Sequence, residues 1–250
     1  GEPLAITNCL NFGNPYKPEI YLQFSEAVKG MGEACSVFGT PVTGGNVSFY
    51  NESPDASVYP TPVIGMVGLI EDLNHITTSY FKQEGDLIMQ LGEDLGEVGG
   101  SEYLKRVHNT VSGDAPLLDL EKEKRLHQLL LSAIREGIIQ SAHDCSDGGV
   151  FVTLAESCIL NRDNMIGAEV TVPVIGRTDV ALFSESQSRI IVSLKPENRQ
   201  KLETLAVKYG IACTVLGVVG GTKLNINDHE FMLTELEDIY YNTISRIMNG

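Results

Sequence analysis

The chain has 250 residues, 42% hydrophobic and 20% charged, a globular composition with room for one large or two ordinary domains. Its net charge of -15 disfavours nonspecific binding to nucleic acid, and no apolar run is long enough to span a bilayer. Five cysteines, at 9, 35, 145, 158 and 213, include no Cys-x-x-Cys pair and are odd in number, which argues for a reducing compartment and against a disulfide framework.

The opening residues have no basic segment ahead of an apolar core, so no signal peptide is expected. A start at Gly1-Glu2-Pro3 reads as a piece of a longer protein. Leu4-Ala5-Ile6-Thr7 predicts a short buried strand. The asparagine-rich run from Asn8 to Pro15 predicts a loop, either a plain turn or a ligand loop at a strand end. Pro18 to Phe38 predicts a helix, because Ile20, Phe24, Ala27, Val28, Met31, Ala34, Cys35 and Phe38 recur at three- and four-residue spacing. Gly39 ends it, and Gly30 and Gly32 are expected to mark close packing against a sheet.

Gly44-Gly45-Asn46-Val47-Ser48-Phe49-Tyr50-Asn51-Glu52 is the stretch around which the chain is organised. The glycines would allow a tight turn and the approach of an anion to backbone N–H groups. Asn46 and Ser48, two apart, would share one face of an extended strand. An amide oxygen and a hydroxyl on one face suit a metal–phosphate ligand. A glycine turn entering an edge strand is the plainer alternative. No Gly-Lys-Ser/Thr follows, so this is not a P-loop.

Val63 to Ile70 is a nearly continuous apolar strand, as expected where both faces are covered. The polar stretch Glu71 to Gln83 holds the expected domain boundary, dividing residues 1–73 from 74–250. Strands are expected at Gly85–Gly92, Ile138–Ala142, Gly167–Val172, Ile190–Leu194 and Cys213–Val219, with a hairpin around Asp228. Helices are expected at Ser101–His108, Asp119–Glu136, after Gly149, at Pro196–Tyr209 and at Glu235–Met248, the last with Ile239, Tyr240, Ile244 and Ile247 inward. His143-Asp144-Cys145-Ser146-Asp147-Gly148-Gly149 reads as a strand-to-helix turn. There Asp144 and Asp147 are placed for a hard cation, or Asp147 or Ser146 caps the next helix. His143 reads as a hydrogen-bonded structural residue, and Cys145 and Cys9 as packing rather than nucleophilic residues. The alternation of strands and helices predicts an α/β, or α+β layered, architecture.

Four stretches together, Ala5–Pro15, Pro41–Glu52, His143–Gly149 and Glu185-Ser186-Gln187-Ser188-Arg189, resemble phosphoribosylformylglycinamidine synthase, in particular the synthetase subunit of its small multi-subunit form. The resemblance runs in order over essentially the whole chain. That family's synthetase is a tandem duplication, each half pairing an aminoimidazole-ribonucleotide-synthetase-like N-terminal domain with a C-terminal α/β domain. The resemblance therefore implies that residues 1–73 are the later part of the second N-terminal-type domain and 74–250 the whole last C-terminal-type domain.

The implied activity is an ATP-dependent ligation in purine biosynthesis. ATP activates the formyl amide oxygen of formylglycinamide ribonucleotide, and glutamine-derived ammonia then displaces phosphate. Matched residue by residue, Asn8 and Gly45 would contact ATP, Asn46 would ligand Mg2+ and Ser48 would bind the ribonucleotide substrate. Asn8 stands where many members have Asp, so an acceptor is kept and a charge lost. The family's general-base histidine and most of its magnesium carboxylates have no counterpart here, so no catalytic residue is expected and the isolated chain should be inactive. Glu185, Ser186 and Gln187, with Asp144 and Asp147, would line an auxiliary nucleotide site or only preserve structure. Implied partners are the missing N-terminal half, a glutaminase subunit and a small bridging subunit, in the cytoplasm. Two alternatives remain: a non-catalytic structural half of the same duplicated scaffold, or another ATP-using member of the superfamily, such as a carbamoyl- or selenium-activating enzyme.

Overall fold

The structure, a computed structural model, describes residues 1–249. It forms two compact units, Gly1–Asn74 and a second from His75 onward.

The first unit holds β1 (Glu2–Asn11), α1 (Pro18–Phe38), β2 (Val42–Ser48) and β3 (Thr61–Leu69). Its sheet has the order β2-β1-β3, with β1 parallel to β2 and antiparallel to β3. A parallel pair needs a crossover, and α1 supplies it. Pro18 sits in the first turn, and Gly39 closes the helix in the left-handed region at φ 68. Leu10, Phe12 and Ile20 form a small core with Phe24 and Phe49, whose rings meet edge to face.

Five expectations fail in this unit. Of Leu4 to Thr7, expected as a short buried strand, only Ile6 is buried, because the segment is part of a ten-residue strand whose other face is open. Asn8 to Asn11 are not loop but the second half of β1, because that strand is laddered on both sides as far as Asn11. Gly44 and Gly45 lie mid-strand rather than in a turn. Nothing stands within 4 Å of a Cβ at Gly30 or Gly32, so neither marks close packing. All of β3 is exposed, despite its apolar sequence. It lies at a sheet edge, and its α1-facing side chains Ile64 and Met66 border an open apolar groove of about 400 Å³.

The second unit is a three-layer sandwich. Its strands are β4 (Leu87–Leu91), β5 (Ile139–Asp144), β6 (Ala168–Val170), β7 (Ile190–Leu194), β8 (Cys213–Val219), β9 (Lys223–Ile226) and β10 (His229–Met232). They form one sheet of order β10-β9-β6-β8-β4-β7-β5, in which β6 and β9 are the parallel pair. The helices are α2 (Glu102–His108), α3 (Leu120–Arg135), α4 (Gly149–Ile159), α5 (Thr178–Phe183), α6 (Arg199–Tyr209) and α7 (Leu233–Asn249). Alternation along β4 and β7 sends Ile88 and Ile191 to a core shared with α4 and α5, and Met89, Leu91, Val192 and Leu194 to one shared with α3 and α6. Helix α5 is short and escapes periodicity. The stripe expected to face inward on α7 does not: Ile244 is 72% and Ile247 77% exposed. That helix is fastened by its first turns, through buried Leu233, through Leu236, and through Arg162, which pairs with Glu237 and lies over the Tyr241 ring. Among the described residues no helix is long and apolar enough to cross a membrane.

Candidate functional site

The parallel register sets Asn8 opposite Gly45, Cys9 opposite Asn46 and Asn11 opposite Ser48. Side chains alternate along each strand. The α1 face therefore receives Ile6, Asn8, Leu10 and Phe12, with Gly45 beside Asn8. The opposite face receives Cys9, Asn11, Asn46 and Ser48. The four residues expected to bind nucleotide, metal and substrate thus divide between two faces, Asn46 and Ser48 sharing one as anticipated. A shallow groove of about 400 Å³ along β2 is bordered by Asn8, Phe24 and the run Val42 to Val47.

Gly45 is glycine for a steric reason. A Cβ there would stand 2.4 Å from Asn8 Oδ1, so the Asn8 amide occupies that space. Asn46 is exposed, and its Nδ2 donates to Cys9 Sγ at 3.7 Å. Ser48 is held by Asn51, whose Nδ2 donates to Ser48 Oγ (3.1 Å), Ser48 O (2.9 Å) and Phe12 O (3.0 Å). Next to it, Tyr50 takes a left-handed φ of 61. Glu52 Oε2 gathers Lys17 Nζ (3.0 Å), Ser57 Oγ (2.9 Å) and the Asn14 amide (3.2 Å), and the Lys17 hydrogen bond lowers the Glu52 pKa. The loops after β1 and β2 are therefore tied together.

Among the described residues no group of three or more His, Cys, Asp or Glu is placed to hold a metal. Among Cys9, Asn11, Asn46 and Ser48 this face brings two neutral side-chain amides, those of Asn46 and Asn11, and no carboxylate. Mg2+ is usually held by one or two carboxylates together with phosphates and water, so this face fits it only as a neutral contributor beside carboxylates supplied from elsewhere.

In the second unit Asp144, Asp147, Glu185 and Gln187 come together around a pocket of about 620 Å³, with Glu123 and His127 on its wall. Ser186 does not face it. That side chain is fully buried, and its Oγ accepts from the Leu95 and Glu97 amides at 3.2 and 3.4 Å. Glu185 Oε1 accepts from the Gly148 amide at 2.8 Å and the Glu102 amide at 3.0 Å, so it clamps two loops. Buried Arg189 donates through Nε to Ser186 O (3.0 Å) and through Nη2 to Ser184 O (2.6 Å). Gly149, at φ +64, lies so close that a Cβ would stand 2.3 Å from Ser184 O.

Asp144 is committed rather than free. Ser146 Oγ donates to it and His143 Nδ1 lies 3.6 Å away. The His143 contact, then the Ser146 hydroxyl, holds its carboxyl well below the usual range. Burial alone would lower the His143 pKa, but Asp144 and Glu156, the latter 2.9 Å from Nε2, raise it to about 9. The residue is thus hydrogen-bonded between two carboxylates, in keeping with the structural role read from the sequence. Neither Asp147 nor Ser146 caps α4: the N-cap is Gly148, at φ 79, with no side-chain cap. Burial pushes the Cys145 thiol up to about 11, which leaves it protonated and inert at neutral pH.

Cys9 and Asn51, which touch Asn46 and Ser48, are not read as site residues from the sequence, which assigns Cys9 to packing and gives Asn51 no separate role. One is defined by strand register and the other by a loop fold.

The two units coincide with the two domains of a single family. The chain belongs to the AIR synthase related family: the N-terminal domain of AIR synthase related proteins matches residues 1–70 and the C-terminal domain residues 83–228. It is similar to phosphoribosylformylglycinamidine synthase subunit PurL of Anaeromyxobacter sp. (strain Fw109-5), at 50% identity over 90% of this chain and 30% of that protein. The PurL subunit of Moorella thermoacetica is 48% identical over 95% of this chain and 32% of its own length. The chain thus spans about a third of the length of the curated relatives it matches. Its fold is like that of T. maritima PurL, in complex with ATP (TM-score 0.70, 20% identity) and with FGAR (TM-score 0.72, 19% identity). These matches cover 94% of this chain and 38% and 39% of the solved chains.

Proposed function

We propose that this chain is the C-terminal part of an ATP-dependent ligase of purine biosynthesis. The whole protein converts formylglycinamide ribonucleotide and glutamine-derived ammonia to formylglycinamidine ribonucleotide. The observation that carries the reading is identity near one half, over nine-tenths or more of this chain, to relatives named PurL. That level favours the synthase over other ATP-using members of the superfamily.

In this reading the β1–β2 pair of the first unit supplies the site, with Asn46 and Ser48 on the face away from α1 and Asn8 and Gly45 on the α1 face. Asn8 and Gly45 contact ATP, Ser48 holds the ribonucleotide and Asn46 ligands Mg2+. The metal, when bound, supplies charge stabilisation to the transferred phosphoryl group. The chain's own residues bind and orient; none is a proton-transfer group. The pocket edged by Asp144, Asp147, Glu185 and Gln187 is an auxiliary site beside Ser186, with Glu185 engaged chiefly as a clamp. The remaining partners are the preceding part of the same protein, a glutaminase subunit and a small bridging subunit, in the cytosol.

Calorimetric titration of Mg-ATP into the full-length protein tests the assignment, with Asn46→Ala as control. Binding weakened by the substitution supports it. Unchanged binding moves the nucleotide to another site, the pocket around Asp144 and Glu185 being the first to examine. Turnover by residues 1–250 alone, given ATP, ammonia and substrate, would refute the prediction that this part is inactive.

A further inference from the structure

We propose that Cys9 is a positioning residue for Asn46: its sulfur accepts the Asn46 amide hydrogen and so turns the amide oxygen outward, toward a cation. The inference rests on the reading of Asn46 as a Mg2+ ligand. A side-chain amide has two nearly isosteric ends, and only the oxygen can bind a metal. Rotating it by half a turn would present an NH2 group to the cation. The neighbour on the other end therefore decides whether Asn46 works as a ligand.

That neighbour is Cys9. It is the register partner of Asn46 on β1, on the same sheet face, and its Sγ lies 3.7 Å from Asn46 Nδ2. Cys9 is itself steadied by Asn11, whose Nδ2 lies 3.7 Å from the same sulfur and 3.4 Å from Cys9 O. Both amides donate to the sulfur, so the thiol here is an acceptor. A thiol is a weak donor and competes little for the Asn46 oxygen. A serine hydroxyl would compete, because it donates well and would draw that oxygen back onto the ladder. The pairing favours sulfur over a hydroxyl of similar shape, which a mere packing role would not. Outer contacts of this kind set the orientation of a metal ligand.

The test uses the full-length protein, with Mn2+ as the spectroscopic probe for Mg2+ and the methylene analogue of ATP as a nucleotide that cannot turn over. Free Mn2+ is followed by electron paramagnetic resonance, and thermal melting without metal or nucleotide reports on folding. Asn46→Ala identifies the relevant sites. Cys9→Ala and Cys9→Ser should each weaken those sites about tenfold, the low end for loss of an outer contact, with melting unchanged. If Asn46→Ala weakens Mn2+ binding and Cys9→Ala does not, the role of Cys9 is overturned while Asn46 stands as a ligand. Wild-type affinity in Cys9→Ser would overturn the preference for sulfur over a hydroxyl and show that any acceptor at the position orients the amide. If Asn46→Ala changes nothing, the ligand reading fails and this inference with it.

Discussion

The Asn8 side-chain oxygen lies over Gly45, 2.4 Å from where a Cβ would stand. Two parallel strands meet at this point with one side chain serving both positions. Gly45→Ala should therefore act through Asn8, swinging its amide away. The expected cost is about 1–3 kcal/mol, the usual range for overpacking. Asn8→Ala in the same chain should relieve most of it. Melting of the two single variants and the double variant measures the coupling. Simple additivity would mean that Asn8 does not fill the space.

Asn51 closes the end of β2 through one NH2 group that reaches three oxygens. Asn51→Ala should cost about 1–3 kcal/mol and loosen Ser48. Asn51→Asp keeps the shape and loses the donors, so it should be no milder. Denaturant unfolding of both variants decides whether donation or shape matters.

Glu185 satisfies two backbone amides with a single oxygen. Glu185→Ala leaves the Gly148 and Glu102 N–H groups without their acceptor, at a cost of about 2–3 kcal/mol. Glu185→Gln retains a side-chain oxygen and should melt close to wild type. Equal destabilisation by both would show that the negative charge, not the acceptor, holds the loops.

His143 gives the second unit a pH dependence of definite sign. Its pKa rises from 6.5 to about 9 in the fold, so its contribution is complete below pH 6.5 and is lost as pH climbs through 9. Discounted for solvent screening of a partly exposed pair, the size is on the order of 2 kcal/mol. Asp144 works in the opposite direction: its pKa is lowered, so its contribution holds above about pH 4 and disappears as acid protonates it. His143→Gln should flatten the alkaline limb of the melting profile between pH 7 and 9. An unaltered limb would assign the dependence to another group.

Much of this protein is legible from sequence because short-range chemistry specified it. Helix α1 begins and ends where Pro18 and Gly39 place it, since φ restraint and the left-handed region act locally. Strand β4 reads as a buried apolar run because both of its faces are covered within its own unit. The asparagine and glycine segments that carry the family resemblance were also visible, as were Asp144, Asp147, Glu185 and Gln187.

What the sequence determined by itself was the order of elements, the helix ends and the residue types available to a ligand. Only the tertiary structure decided which of those residues meet. Cys9 touches Asn46 because β1 and β2 pair in one parallel register, and a shift by one residue would place Asn46 on the other face. Glu185 became a clamp because α4 enters over Ser184 at a glycine with no Cβ to block the approach. The apolar stripes of β3 and α7 show the other side of the same physics. Hydrophobic periodicity states which residues favour burial, whereas exposure depends on which surfaces the fold brings against them.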